Sequence, residues 1–279
     1  MKRILIIILL ICALAEIATA QRVTHNFQNM SMSDALKLVQ RQTDKYKIVF
    51  IYDDLEDFKV TTSVKGKSVP DAVQQMIGFY PISMTVNDDN EIYVECIHKT
   101  DHRLKGLVVD ENNLPLPYAN VTLLNPADST MLGGGVTNES GYFAIPYEHA
   151  RILARITYVG YKPAYRLCSR DNAGTIKMQP DQFTLDGVTV KGERPQYKMT
   201  TGGMTVNVAG TVLSDMGTGI DVLSQLPRVD VKGDGQVSVF GSGTPLIYIN
   251  NRPIQSNTEL SRLKSSDIKS IDVITSPGA

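Results

Sequence analysis

The sequence predicts a multidomain chain: an α+β unit made of two βα repeats, then an all-β Greek-key sandwich, then a second α+β unit, with no β-barrel. Three observations carry this expectation. Ser31-Met32-Ser33-Asp34-Ala35-Leu36 is answered by Ser68-Val69-Pro70-Asp71-Ala72-Val73, an internal repeat. From Leu104 to about Met178, short strand-like runs alternate with turn signals. From Asp221 to Ala279, three short strand-like runs are accompanied by two short helical patterns.

The chain opens on a targeting segment. Lys2 and Arg3 form a positive start, Ile4 to Leu14 an apolar run too short for an ordinary membrane span, and Ala18-Thr19-Ala20 a small-x-small cleavage site. Cleavage after Ala20 leaves Gln21 as the mature start. The rival reading is a lipoprotein signal using Cys12, but Ile11 is bulky where that signal needs a small residue. The mature chain then keeps Cys96 and Cys168, expected as two buried free thiols in different domains.

Residues 21–99 form the first unit. Each copy of the repeat opens with Ser-x-x-Asp, where the serine caps a helix and the acid sits in its first turn. Leu36 and Val39, with Leu38 as a further candidate, face inward from the first helix, and Ala72, Val73, Met76 and Ile77 from the second. Strands are expected over Lys47 to Tyr52, Val60 to Val64, Ile82 to Val86 and Glu91 to Ile97, the last two joined as a hairpin across Asp88-Asp89-Asn90.

Residues 100–179 read as all-β. Expected strands are Lys105 to Val109, Ala119 to Leu124, Gly134 to Thr137, Tyr142 to Ile145, Ile152 to Tyr158 and Thr175 to Met178. Asp110-Glu111-Asn112-Asn113, Asn125-Pro126, Asn138-Glu139-Ser140-Gly141 and Gly160-Tyr161-Lys162-Pro163 mark the turns, a spacing that suits a sandwich.

Residues 180–201 are expected as a linker, with Pro180, Gly187, Gly192 and Pro195 and little helical periodicity. Within it Leu185-Asp186-Gly187-Val188-Thr189-Val190 is a short extended run, open to three readings: an accessible strand, the last strand of the sandwich, or plain linker. In residues 202–279, Met204 to Val208 begins a sheet, and Gln236 to Val239, Leu246 to Ile249 and Ser270 to Ile274 are three further strand-like runs. Ile220, Val222, Leu223 and Leu226 give one helical face before Pro227, and Leu260 with Leu263 gives another. Asn250-Asn251 suits a tight turn with φ > 0.

Three family resemblances follow from these residues. The first unit resembles the secretin and TonB N-terminal domain, a periplasmic module. Gly106-Leu107-Val108-Val109-Asp110, Pro117-Tyr118-Ala119-Asn120-Val121-Thr122, Thr137-Asn138-Glu139-Ser140-Gly141-Tyr142-Phe143 and Tyr158-Val159-Gly160-Tyr161 resemble the carboxypeptidase regulatory-like domain, an accessory sandwich without peptidase chemistry. Asp221 to Pro227, Val229-Asp230-Val231, Pro245 to Ile254 and Asp267 to Ile274, closed by Ser276-Pro277-Gly278-Ala279, resemble the plug domain of TonB-dependent outer-membrane receptors. Arg228 departs from that pattern, which has glycine after the proline.

The order of the three modules resembles the N-terminal part of a TonB-dependent receptor of the Bacteroidetes type. The resemblance implies an exported protein on the periplasmic side of the outer membrane, acting in nutrient uptake or signalling. Its implied partners are TonB, an anti-sigma regulator and an outer-membrane β-barrel. It implies that Asp186, Gly187, Val188, Thr189 and Val190 form the box that pairs with TonB, although Gly187 is a poor strand former. A plugged barrel has about 22 strands of about ten residues, roughly 220 residues in all. No such pattern is present, so the chain is expected to be a truncated product, a fragment or the result of a frameshift, not competent in transport alone. The alternative expectation is a stand-alone periplasmic interaction protein that binds TonB or an anti-sigma regulator. A third class is a secreted enzyme with accessory modules.

Chemistry is expected to be absent. A net charge of -1 argues against nucleic-acid binding, and the lack of tryptophan removes one common stacking platform. His98 and His102 have i, i+4 spacing, but no helix is expected there to align them as a metal pair. Asp53-Asp54 and Asp88-Asp89 sit at turns. Gly133-Gly134-Gly135 lacks the Gly-Lys-Ser/Thr of a phosphate loop, and Gly241-Ser242-Gly243 precedes a strand and not a helix. Asn29-Met30-Ser31, Asn120-Val121-Thr122 and Asn138-Glu139-Ser140 match a glycosylation triplet that a bacterial envelope protein would not use. No cofactor, metal or catalytic residue is expected.

Overall fold

The computed structural model describes residues 22–98, 100, 102–169, 171–181, 197–200, 203–240 and 243–274. The targeting segment and the run Asp186 to Val190 lie outside them. Buried side chains gather in three cores along the chain.

The first core rests on the repeat. Strand β1 (Val23–Ser31) runs into helix α1 (Met32–Gln40), whose cap Ser31 accepts the Asp34 N–H at 3.1 Å. Then come β2 (Lys47–Val49), the short helix α2 (Tyr52–Leu55) and β3 (Lys59–Lys67). Helix α3 (Val69–Ile77) is capped in the same way by Ser68, with proline in its first turn, where a missing N–H costs nothing. The hairpin β4 (Ile82–Val86) and β5 (Glu91–Cys96) follows, with Asn90 turning at φ 59. β1 pairs antiparallel with β3, and β2, β5 and β4 form a second sheet in that order. Leu36, Val39, Ala72, Val73, Met76 and Ile77 are buried as expected, Leu38 is half-buried against the same core, and Phe27 and Phe58 are buried too. Burying each large apolar side chain contributes about 1.5–3 kcal/mol against the entropy of ordering it.

Two expectations for this unit change. The run Lys47 to Tyr52 is not one strand: it ends at Val49, and α2 begins at Tyr52. Asp53 and Asp54 occupy the first turn of α2, where carboxylates suit the positive end of a helix. The backbone C=O of Tyr52 accepts the Ser33 hydroxyl at 2.6 Å, which ties α2 to α1. β1 was hidden in the sequence because its polar residues obscure the alternation; Val23 and Phe27 alone are buried, and an irregular register around Asn29, at φ 48, breaks the period.

The second core lies between two sheets built from β6 (Arg103–Val109), β7 (Asn120–Leu124), β8 (Met131–Val136), β9 (Tyr142–Pro146), β10 (Ile152–Thr157), β11 (Ala164–Cys168) and β12 (Asn172–Lys177). Their orders are β11-β10-β7-β8 and β12-β6-β9, with β12 parallel to β6. Leu104 and Val108 of one sheet pack with Val121, Leu123 and Ile156 of the other. β11 is the one strand of this unit that the turn spacing does not reveal: it is an edge strand with Tyr165, Arg166 and Leu167 all exposed.

The third core is made by β13 (Tyr197–Thr200), β14 (Gly203–Asn207), a 3₁₀ turn over Val212–Asp215, α4 (Gly219–Ser224), β15 (Val229–Val231), β16 (Val237–Val239), β17 (Tyr248–Ile249), β18 (Arg252–Pro253), α5 (Thr258–Arg262) and β19 (Ser270–Ile274). β14 is central in the order β13-β14-β19. α4 starts with a reciprocal capping box between Thr218 and Asp221. Asn250 and Asn251 turn β17 into β18 at φ 50 and 64. Tyr197–Thr200, inside the stretch expected as linker, is a strand. Among the described residues there is no closed barrel, and no helix is long and apolar enough to cross a membrane.

Candidate functional site

The expected partner box lies outside the described residues, but both of its flanks are placed. On one side the Asp181 N–H donates to the C=O of Gly160 at 2.9 Å. On the other, Tyr197 opens β13, and its ring packs 5.3 Å from that of Tyr118 in the sandwich. Tyr118 also meets Phe79 of the first unit at 5.7 Å, edge to face. One aromatic row therefore crosses all three units. Tyr118 takes φ 62, a backbone conformation costly for a bulky residue and held there by its surroundings. Burial raises the pKa of both Tyr118 and Tyr197, so both stay neutral and apolar in this row. A cavity of about 310 Å³ opens beside it.

The first unit is fastened to the sandwich by polar bonds. Asp57 accepts from Lys105 Nζ at 2.8 Å and lies 3.6 Å from Arg103 Nη1. The Tyr142 hydroxyl donates to the Asp57 carbonyl at 3.0 Å. Asn138 donates to the Lys59 carbonyl at 2.8 Å while its own Oδ1 accepts the N–H groups of Ser140 and Tyr142. The Thr62 hydroxyl donates to Glu139 at 3.1 Å.

The third unit is fastened through Asn120. Its Nδ2 donates to the Leu226 carbonyl at 2.7 Å and its Oδ1 accepts the Arg228 N–H at 2.8 Å, so one buried side chain closes both ends of the Leu226 to Arg228 turn. Arg155 pairs with Asp230 at 2.8 Å. Phe240 lies over Gly134, where a Cβ would meet its ring. Arg228 takes φ 67, the left-handed conformation that explains glycine at this place in the pattern the segment resembles. Its guanidinium donates to the Phe240 carbonyl at 3.0 Å, and burial lowers its pKa from the usual arginine value.

The other residues weighed in the sequence are not brought into one constellation. His102 Nδ1 lies 3.2 Å from Asp171, and the backbone C=O of His98 accepts from Cys96 Sγ, so the two histidines have separate partners. Asp89 binds locally to Asn87, and Gly133 to Gly135 lie in β8. Cys96 and Cys168 are buried free thiols in separate cores. Among the described residues no group of three His, Cys, Asp or Glu could hold a metal ion. Sequence reasoning missed Asn120 as a bridge. It did mark Asn138 as a turn residue, and both asparagines stood in triplets that resembled glycosylation sites.

Residues 103–216 match the carboxypeptidase regulatory-like domain, a module found in TonB-dependent receptors among others. The match starts with β6, covers the whole sandwich and continues through β13 and β14 to the first 3₁₀ turn. Among curated proteins none matches this chain. Among solved structures, a double mutant of the shaft pilin SpaA from Lactobacillus rhamnosus GG is similar at a TM-score of 0.26 and 15% identity, over 34% of this chain and 54% of the pilin chain. The chain thus spans about half the length of that pilin.

Proposed function

We propose that the chain is the periplasmic N-terminal arm of a TonB-dependent outer-membrane receptor, working by transmission of force and by partner binding and not by catalysis. The observation that carries this reading is a sandwich matching the carboxypeptidase regulatory-like domain, with an α+β core on either side of it in the chain. In this reading Asp186 to Val190 is the handle that TonB grasps. In the sequence it lies after the sandwich and ahead of β13, the outer strand of the third unit's sheet. A pull there would be delivered to a four-residue edge strand, the part of the sheet easiest to detach. The first unit would offer its surface to an anti-sigma regulator, and an outer-membrane β-barrel would surround the third unit.

The reading is tested by titrating the TonB C-terminal domain into the whole chain and into a variant in which residues 182–196 are replaced by a glycine-serine linker of equal length. Saturable binding to the first and none to the second is expected. Equal binding to both would move the handle elsewhere, and no binding to either would contradict the TonB reading.

A further inference from the structure

A cleft of about 510 Å³, within the usual range for ligand sites, is lined by all three units. In the third unit β14 contributes Gly203 and Met204 to its wall and β19 contributes Val273; the first two units add three strands, β4 through Ile82 to Met84, β8 through Met131 to Gly135, and β9 through Ile145 and Pro146. Each of these last three is the terminal strand of its sheet, so each has one ladder edge without a strand partner among the described residues. Edge strands are commonly blunted by charge, proline or cover. β9 ends in Pro146, but β4, Ile-Ser-Met-Thr-Val, and β8, Met-Leu-Gly-Gly-Gly-Val, carry neither charge nor proline. Two unprotected edges therefore border one cleft.

The chemistry of the wall is specific. At Gly133 a Cβ would meet no atom within 4 Å, so β8 has open space beside that one glycine, while the Phe240 ring covers Gly134 and Ile145 lies against Gly135. The charged and titratable wall residues include Arg228, His98, His149 and Glu148. Arg228 is half-buried and donates to the Phe240 carbonyl, and none of the ion pairs among the described residues includes it. A guanidinium withdrawn from water without a carboxylate is a strong recognition point for one, because its donors can grip both carboxylate oxygens.

We propose that this cleft takes an extended peptide as an added β-strand, with one acidic side chain of that peptide paired to Arg228. Main-chain bonds to the edge of β8 or β4 would supply affinity, and a small or β-branched side chain would fill the space beside Gly133. The inference does not depend on the TonB reading or on residues 182–196.

The probe is a short, end-blocked peptide of alternating valine and threonine with one central aspartate, titrated into the isotope-labelled whole chain. A matched peptide carries asparagine in place of the aspartate. Saturable shifts are expected at the amides of Ile82 to Met84 or Met131 to Gly135. The asparagine peptide, and the Arg228→Gln variant with the aspartate peptide, should each bind about tenfold more weakly. Gly133→Val, which adds a side chain where there is room for it, should keep the amide spectrum of the rest of the chain and lose binding. Absent binding, shifts confined to β11 or β19, or unchanged affinity in Gly133→Val would overturn the proposal. Equal affinity for the two peptides would overturn the Arg228 contact.

Discussion

Two residues at the seam between sandwich and third unit show how much depends on single side chains. Arg228 holds φ 67, a cost of about 1–2 kcal/mol for an L-residue. Replacing it by glycine relieves that cost but loses the side-chain bond to Phe240 and frees the unfolded chain. The expected result is a change within about 1 kcal/mol for Arg228→Gly. Arg228→Val, β-branched at positive φ, should destabilise by about 1–2 kcal/mol in denaturant midpoints. Asn120 is the sharper case. It is 4% exposed and serves a carbonyl and an N–H of one turn. Asn120→Ala strands both groups in the seam and should cost about 2–4 kcal/mol, seen as a lower midpoint at an unchanged denaturant slope.

The elements fall into those that local chemistry announces and those that only tertiary contact makes. Helices α1 and α3 were readable because capping serine, first-turn acid and apolar period agree. β4 and β19 match their expected bounds to the residue, because alternation or turn signals fix both ends. β1, β11 and β13 were not readable. Polar residues interrupt the alternation of β1 and three successive residues of β11 are exposed, so neither shows a clean period, while β13 follows a stretch rich in glycine and proline. The hairpin of β4 and β5 carries a pH signature. Lys47, then Tyr93 and Asn87, bond Glu91 and hold its pKa from an ordinary 4.5 down to about 2. The unfolded chain binds more protons between these values, so stability rises with pH across that window and is lost as pH falls toward 2. Glu91→Gln should flatten that limb of a plot of unfolding midpoint against pH. In the third unit, a Cβ on Gly203 would fall on the Val273 carbonyl. Gly203→Ala should push β19 off β14 at a cost of about 1–3 kcal/mol, with faster amide exchange in Ser270–Ile274 than in β16.

At the scale of the molecule, the three units are joined by specific seams. Asp57 with Arg103 and Lys105 secures the first, Asn120 with the Leu226 to Arg228 turn secures the second, and the row Phe79, Tyr118, Tyr197 touches both. None of these pairings was visible in the sequence, because each joins residues from different units and no local pattern records them. What the sequence does offer is an expected order of three units and, between the sandwich and the third unit, the acidic and β-branched run Asp186 to Val190. In the proposed function that run is where the chain is pulled. β-Strand addition works through main-chain bonds, so a backbone change at its centre is the direct test. The TonB C-terminal domain is titrated against the whole chain, Val188→Pro and Val188→Ala, with melting curves alongside. The account predicts that Val188→Pro, which deletes an N–H donor, abolishes binding without moving the melting temperature, and that Val188→Ala weakens binding only modestly. Intact binding by Val188→Pro, or a melting temperature that falls with that substitution as it would for a sandwich strand, would contradict it.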